Sequence, residues 1–132
     1  MTKRPLIAIV GPCGSGKSTL AAALRRRGYR ARALAQEHSY VPQMWRRMAR
    51  PALLVYLDVG AAEVNRRLGR TDWTEAIVRR QRERLAHAHR HADLYLHTDG
   101  LALEEILERV VAFLQERGIA PGPGEENRVP SG

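Results

Sequence analysis

Gly11-Pro12-Cys13-Gly14-Ser15-Gly16-Lys17-Ser18-Thr19 puts glycines, one ammonium group and hydroxyls within nine residues, at the spacing G-x-x-x-x-G-K-[ST]. That combination suits a chain of phosphates. Gly11 lets the backbone leave a strand in a tight turn, and Gly14 and Gly16 allow torsions and close approach that a Cβ would block. The amides of residues 14 to 18, Ser15 among them, then converge on one phosphate at a helix N-terminus, where the peptide dipoles also favour negative charge. Lys17 reaches the β- and γ-phosphates as a point charge, the Ser18 hydroxyl ligates Mg²⁺, and the Thr19 hydroxyl meets the α-phosphate. The expected ligand is a nucleoside triphosphate, ATP or another, with Mg²⁺.

Other residue types here can do chemistry, and each also has a plainer account. Cys13 fills a freely variable position of the loop and reads as a spacer, because no paired base for a thiol nucleophile is evident. His87 and His91 stand at i, i+4 spacing, as in two-histidine metal sites. Without a Glu in the H-E-x-x-H sense or a third ligand nearby, exposed histidines among arginines is the favoured reading. Trp45 and Trp73 read as packing residues that can also cover a cleft.

The elements around the loop are built to hold it. Leu6–Val10 is a continuous apolar run that ends in Gly11-Pro12, the signature of a buried parallel strand. A helix follows over Lys17–Arg27, with Gly28 at its left-handed cap. Tyr29–Ala35 alternates as a weaker strand, 36–42 is a loop, and Gln43–Arg50 is a short basic helix stopped by Pro51. Ala52–Val59 is a stronger strand that turns polar at Asp58, and Ala61–Leu68 a helix closed by Gly69. Asp72-Trp73-Thr74-Glu75 has capping-box spacing, predicting one long helix to about Arg90. Leu94–His97 is a strand. Leu103–Leu114 keeps an i, i+3, i+4 pattern in a helix ended by Gly118. From Ile119, Pro, Gly and charge dominate, so residues 1–118 are expected as one domain and 119–132 as a disordered tail. Alternating strands and helices predict a small parallel sheet of about four strands and five helices in three α/β/α layers. Ligands of such sheets bind beyond the carboxyl ends of the strands.

Composition narrows the setting. At 132 residues the chain has room for one core, and no apolar stretch approaches the length of a membrane span. Lys3-Arg4-Pro5 leads into only five apolar residues, so no signal peptide is expected. With one cysteine there is no internal disulfide, and a cytoplasmic setting is the default. The net charge of +8 comes from 20 Arg and 2 Lys. Such a bias towards Arg follows from a GC-rich genome, so nucleic acid is a possible partner but not the favoured one.

With the loop and these elements in place, the chain resembles the small P-loop kinases, the adenylate-, shikimate- and gluconate-kinase-like group of P-loop NTPases. The likeness spans residues 5 to 118 and rests on Gly11–Ser18, Leu54–Val59 with the helix ending Arg66-Arg67-Leu68-Gly69-Arg70, His91–Asp99, and Leu103–Gly118. It implies a pair of lid arginines, four residues apart, on the base and phosphates of the nucleotide. Arg66 and Arg70 have that spacing, with Arg67 as the alternative. It also implies that Thr98, Asp99 and Gly100 line the base pocket. The family places two strands and an acceptor-binding segment where this chain has only the 25 residues from Gly28 to Leu53, and its lid is often longer than Gly69–Asp72. The missing segment carries an Asp that supports Mg²⁺ or takes the acceptor proton. Glu37 is the candidate substitute, for metal and for catalysis, with His38 beside it as an assisting or replacement base. Asp58 is the rival, because an apolar strand ending in Asp mimics a Walker B motif; the family likeness makes it a residue that steadies the next helix. Arg46, Arg47 and Arg50 are expected near the acceptor side.

Two functions follow. One is a kinase that moves the γ-phosphoryl of ATP to a small-molecule acceptor, with Lys17, Glu37 and Arg70 in catalytic roles. The other is a minimal NTP-binding module or ATPase with a regulatory or nucleic-acid-linked role and no acceptor.

Overall fold

A computed structural model describes residues 4–123. Four strands form one parallel sheet: β1 (Leu6–Val10), β2 (Arg30–Ala33), β3 (Leu53–Asp58) and β4 (Leu94–His97), in the order β2-β1-β3-β4. β1 is central, pairing Ile7 with Ala31 on one side and with Leu53 on the other. β3 is buried at every position and β1 at all but its first residue. The apolar runs of the sequence reflect that double burial.

Among the described residues six α-helices connect and cover the strands: α1 (Lys17–Arg26), α2 (Met44–Ala49), α3 (Ala61–Leu68), α4 (Glu75–Arg84), α5 (Ala86–His91) and α6 (Leu103–Glu116). On one face, Leu20 and Leu24 of α1 and Ile106, Val110 and Leu114 of α6 pack on Ile7, Ile9, Val55 and Leu57. On the other, Trp45, Leu85 and Ala88 pack on Ala8, Val10, Leu54 and Tyr56. The three-layer α/β/α architecture is as expected. All four strand carboxyl ends meet at one edge, and the glycine-rich loop stands at the middle of it.

The single long helix expected after Asp72 is two. The chain tightens at Leu85, whose amide donates to the carbonyls of both Gln81 and Arg82, and α5 begins at the next residue. Leu85 at this break is fully buried on the sheet together with Ala88 of α5. The cap also lies two residues later than the capping-box spacing places it. Thr74 Oγ1 accepts from the Ile77 amide, Asp72 pairs with Arg70, and Glu75 Oε1 accepts from the Ala61 amide at the start of α3. Glu75 thus caps the neighbouring helix and pairs with Arg82 of its own.

The segment expected to be a free tail starts on the domain. The Ile119 amide donates to Leu114, its side chain packs against the core, and the Gly122 amide donates to the Gly28 carbonyl at 2.9 Å. Arg4 donates to that same carbonyl. Residues 124–132 lie outside the described residues. Among the described residues, no helix is long and apolar enough to cross a membrane.

Candidate functional site

The loop leaves β1 at Gly11, where an added Cβ would stand 2.0 Å from the Leu57 carbonyl oxygen of β3. Only glycine can pass so close to a neighbouring strand. At the other end Gly16 occupies the N-cap of α1 with φ +95°, and no side chain caps the helix. The first amides of α1 are therefore left to face the edge of the sheet, the arrangement that draws an anion to a helix start. The turn is closed internally by the Ser15 amide on the Pro12 carbonyl, and externally by the Cys13 amide, which donates to Gln81 Oε1 of α4 at 2.8 Å. Ser15 Oγ is buried with no hydrogen-bond partner.

Lys17, the first residue of α1, folds back over this turn. Its Nζ donates to the carbonyls of Gly11 and Pro12 and lies 2.6 Å from Glu37 Oε2. Glu37 sits in a tight turn, Gln36–His38, directly after β2. Because β2 is hydrogen-bonded to β1, that turn and the glycine loop are neighbours. The Glu37 side chain is 4% exposed, and its second oxygen, Oε1, is buried without a partner. Gln36 fixes the turn: fully buried, it accepts from the Trp45 amide at 2.7 Å and donates to the carbonyls of Val41 and Arg84. Arg84 in turn donates to the Glu37 carbonyl.

A cleft of about 570 Å³ opens between the loop and this turn, with Lys17, Ser18, Thr19, Glu37, His38 and Arg67 on its walls. Ser18 and Thr19 are exposed to it. A smaller hollow of about 160 Å³ lies on the other side of Gly16 and Thr19, under Leu101, Leu103 and Ile106. The Cys13 thiol lies 3.2 Å from His38 Nε2 and 3.7 Å from Glu37 Oε2. Burial, followed by the Glu37 charge, pushes its pKa above the usual thiol value.

Of the three arginines around the lid entrance, Arg67 reaches the loop. It donates to the Gly14 carbonyl at 2.8 Å and to Thr98 carbonyl and hydroxyl oxygens, while its Nε holds Glu63. Arg66 and Arg70 face solvent, on Glu63 and Asp72 respectively. Hydrogen bonding from Arg66, outweighing the cost of burial, pulls the Glu63 pKa down to about 2. Thr98 and Asp99 are wired into the scaffold, Thr98 Oγ1 donating to the Asp58 carbonyl and Asp99 accepting from the Gly60 amide.

Asp58 has its carboxylate filled. Oδ1 accepts from Arg82 Nε at 3.0 Å and from the Val59 amide, and Oδ2 accepts from the Tyr95 hydroxyl at 2.6 Å. Burial first, and then this bond, push the Tyr95 pKa up to about 12. The arginines of α2 are placed differently from expectation. Arg46, Arg47 and Arg50 border a hollow with Pro51, Leu54 and Asp93, at the strands' amino ends, across the sheet from the cleft. His87 accepts from Trp45 Nε1 and stacks on His91 at 4.3 Å, so Trp45 and the histidines form a packed aromatic cluster there.

Gln36, Gln81, Arg82 and Arg84 position the site, and none stood out in the sequence. The available signal was Gln81, a polar residue in line with Val78 and Leu85 on the buried stripe of its helix.

No protein-family model matches the chain, and no curated protein does either. Among solved structures, shikimate kinase from Bacteroides thetaiotaomicron superposes with a TM-score of 0.55 at 15% identity, covering 84% of this chain and 98% of that one. At that identity the likeness is one of fold: this chain has the fold of a P-loop kinase.

Proposed function

We propose that the chain binds ATP, or another nucleoside triphosphate, along the loop Gly11–Thr19 and transfers its γ-phosphoryl group to a small-molecule acceptor in the cleft beside Glu37. The observation that carries this reading is the contact between Lys17 and Glu37, 2.6 Å across the cleft mouth. It puts the loop's cation and a buried carboxylate at one point, where a terminal phosphate and an acceptor would meet.

Each residue has a role that its position supports. The amides at the start of α1 cradle the phosphates. Lys17 exchanges Glu37 for the β- and γ-oxygens, and Glu37, released from the ammonium, takes the acceptor proton as the acceptor oxygen bonds to phosphorus and the bond to the leaving diphosphate breaks. Arg67, fixed on Gly14, adds positive charge on the flank of the loop; Arg66 and Arg70 would need to leave Glu63 and Asp72 to act as lid arginines. Mg²⁺ fits the donors present: the Ser18 hydroxyl and the Glu37 carboxylate, with its unpartnered Oε1, offer the hard oxygens it prefers. When bound it would neutralise charge on the terminal phosphates. The base would lie towards the hollow beside Leu101 and Ile106.

The rival is a nucleotide-binding module without an acceptor, hydrolysing slowly and read out by a partner such as nucleic acid. It is favoured by the absence of the α2 arginines from the cleft, which leaves an anionic acceptor fewer cations there. Labelled ATP with pooled nucleosides, sugars and small acids, run beside hydrolysis with and without RNA, separates the two. Label appearing in an acceptor supports the kinase. Release of inorganic phosphate alone, changed by RNA, supports the module.

A further inference from the structure

We propose that Cys13, Glu37 and His38 form a binding site for a thiophilic divalent cation, zinc being the natural representative, at the mouth of the phosphate loop. The residues come from two elements that the sheet makes neighbours, the turn after β1 and the turn after β2. One thiol, one imidazole nitrogen and one carboxylate oxygen lie within 4.8 Å of one another.

The spacing is that of a coordination sphere. A tetrahedral zinc ion, bonded at about 2.3 Å to sulfur and about 2.0–2.2 Å to nitrogen or oxygen, sets its ligand atoms about 3.4–3.6 Å apart. Here Cys13 Sγ is 3.2 Å from His38 Nε2 and 3.7 Å from Glu37 Oε2, and Glu37 Oε2 is 3.8 Å from His38 Nε2. Three corners of a tetrahedron are therefore nearly in place, on residues that line the cleft. A mixed sulfur, nitrogen and oxygen donor set suits zinc and disfavours magnesium. The Glu37 side chain is almost fully buried; Oε2, the oxygen beside Cys13 and His38, also holds Lys17, while Oε1 has no partner. On binding, the thiol proton leaves to solvent and the sulfur coordinates as thiolate.

One group opposes the ion: the Lys17 ammonium, 2.6 Å from the same carboxylate oxygen. Lys17 also holds two loop carbonyls, so it can keep those while giving up Glu37. This opposition gives the site a diagnostic pair of substitutions. Loss of a ligand weakens binding, whereas loss of Lys17 strengthens it.

The test is titration of the full-length chain with Co²⁺ alone, a spectroscopic substitute for Zn²⁺, in the absence of nucleotide. One equivalent should bring in a near-ultraviolet thiolate-to-metal charge-transfer band with visible bands of tetrahedral intensity, and Zn²⁺ should bleach both. Cys13→Ser should remove the charge-transfer band. His38→Ala, at an exposed ring, should weaken binding about tenfold or more, and Lys17→Ala should tighten it. Circular dichroism establishes that each variant is folded. No band in the parent chain, a band that survives Cys13→Ser, or weaker binding by Lys17→Ala would overturn the proposal. The site shares Glu37 with the phosphoryl-transfer reading, but nucleotide plays no part in this titration, so each can fail while the other stands.

Discussion

Lys17 donates to Glu37 and to two carbonyls of its own loop, and a triphosphate would compete for the same ammonium. Lys17→Ala should therefore abolish the rise in melting temperature that ATP with Mg²⁺ gives the parent chain; an unchanged rise would remove the loop from the account. Glu37→Gln should retain that rise and lose turnover, since an amide accepts no proton at neutral pH. Asp58→Asn separates the two carboxylates. Asp58 is engaged by Arg82, Tyr95 and the Val59 amide, so its loss should cost about 1–3 kcal/mol of stability in urea melts and leave nucleotide binding intact. Stability unchanged with turnover gone would make Asp58, not Glu37, the catalytic carboxylate.

The loop depends on elements outside it. α4 holds it through one bond, from the Cys13 amide to Gln81. Gln81→Leu keeps the volume and leaves that amide unpaired, at a cost of about 1–3 kcal/mol, and should weaken nucleotide affinity measured by calorimetry; an unaltered affinity would mean that the loop keeps its shape unaided. α3 is steadied by Glu63, whose pKa is held near 2 by Arg66 and Arg67, well below its ordinary 4.5. A carboxylate with a lowered folded-state pKa contributes stability that is full above the unfolded value and is lost as pH falls through the folded one. The difference in urea midpoint between the parent chain and Glu63→Gln should thus be largest near pH 6 and shrink between pH 4.5 and 2. A difference that stays constant would show that the pairs with Arg66 and Arg67 add nothing, as is common for exposed ion pairs.

At the scale of the whole molecule, the sheet was legible in the sequence because burial on both faces leaves uninterrupted apolar runs at Leu6–Val10 and Leu53–Asp58. The loop was legible because its residue types fall at the fixed spacing G-x-x-x-x-G-K-[ST]. Glu37 was reached by asking which carboxylate ends the strand beside the loop, and the structure puts it against Lys17. What could not be read were the long-range polar bonds. Nothing local in Gln36, Gln81 or Arg67 announces that their partners lie 9, 68 and 53 residues away in the chain. The break at Leu85 and the later cap at Thr74 were hidden for a related reason: both answer to packing and to a neighbouring helix rather than to their own sequence.

The junction at Gly28 bears on how the protein can be handled. Its carbonyl receives both Arg4, ahead of the first strand, and the Gly122 amide, beyond the last helix. Segments near both limits of the described residues are thereby pinned at the strands' amino edge, at the far pole from Lys17. A molecule tethered to a sensor surface through a residue near Arg4 or Gly122 would turn Gly11–Thr19 outward to the flowing solution, and labels placed there would report on the cleft without standing in its way.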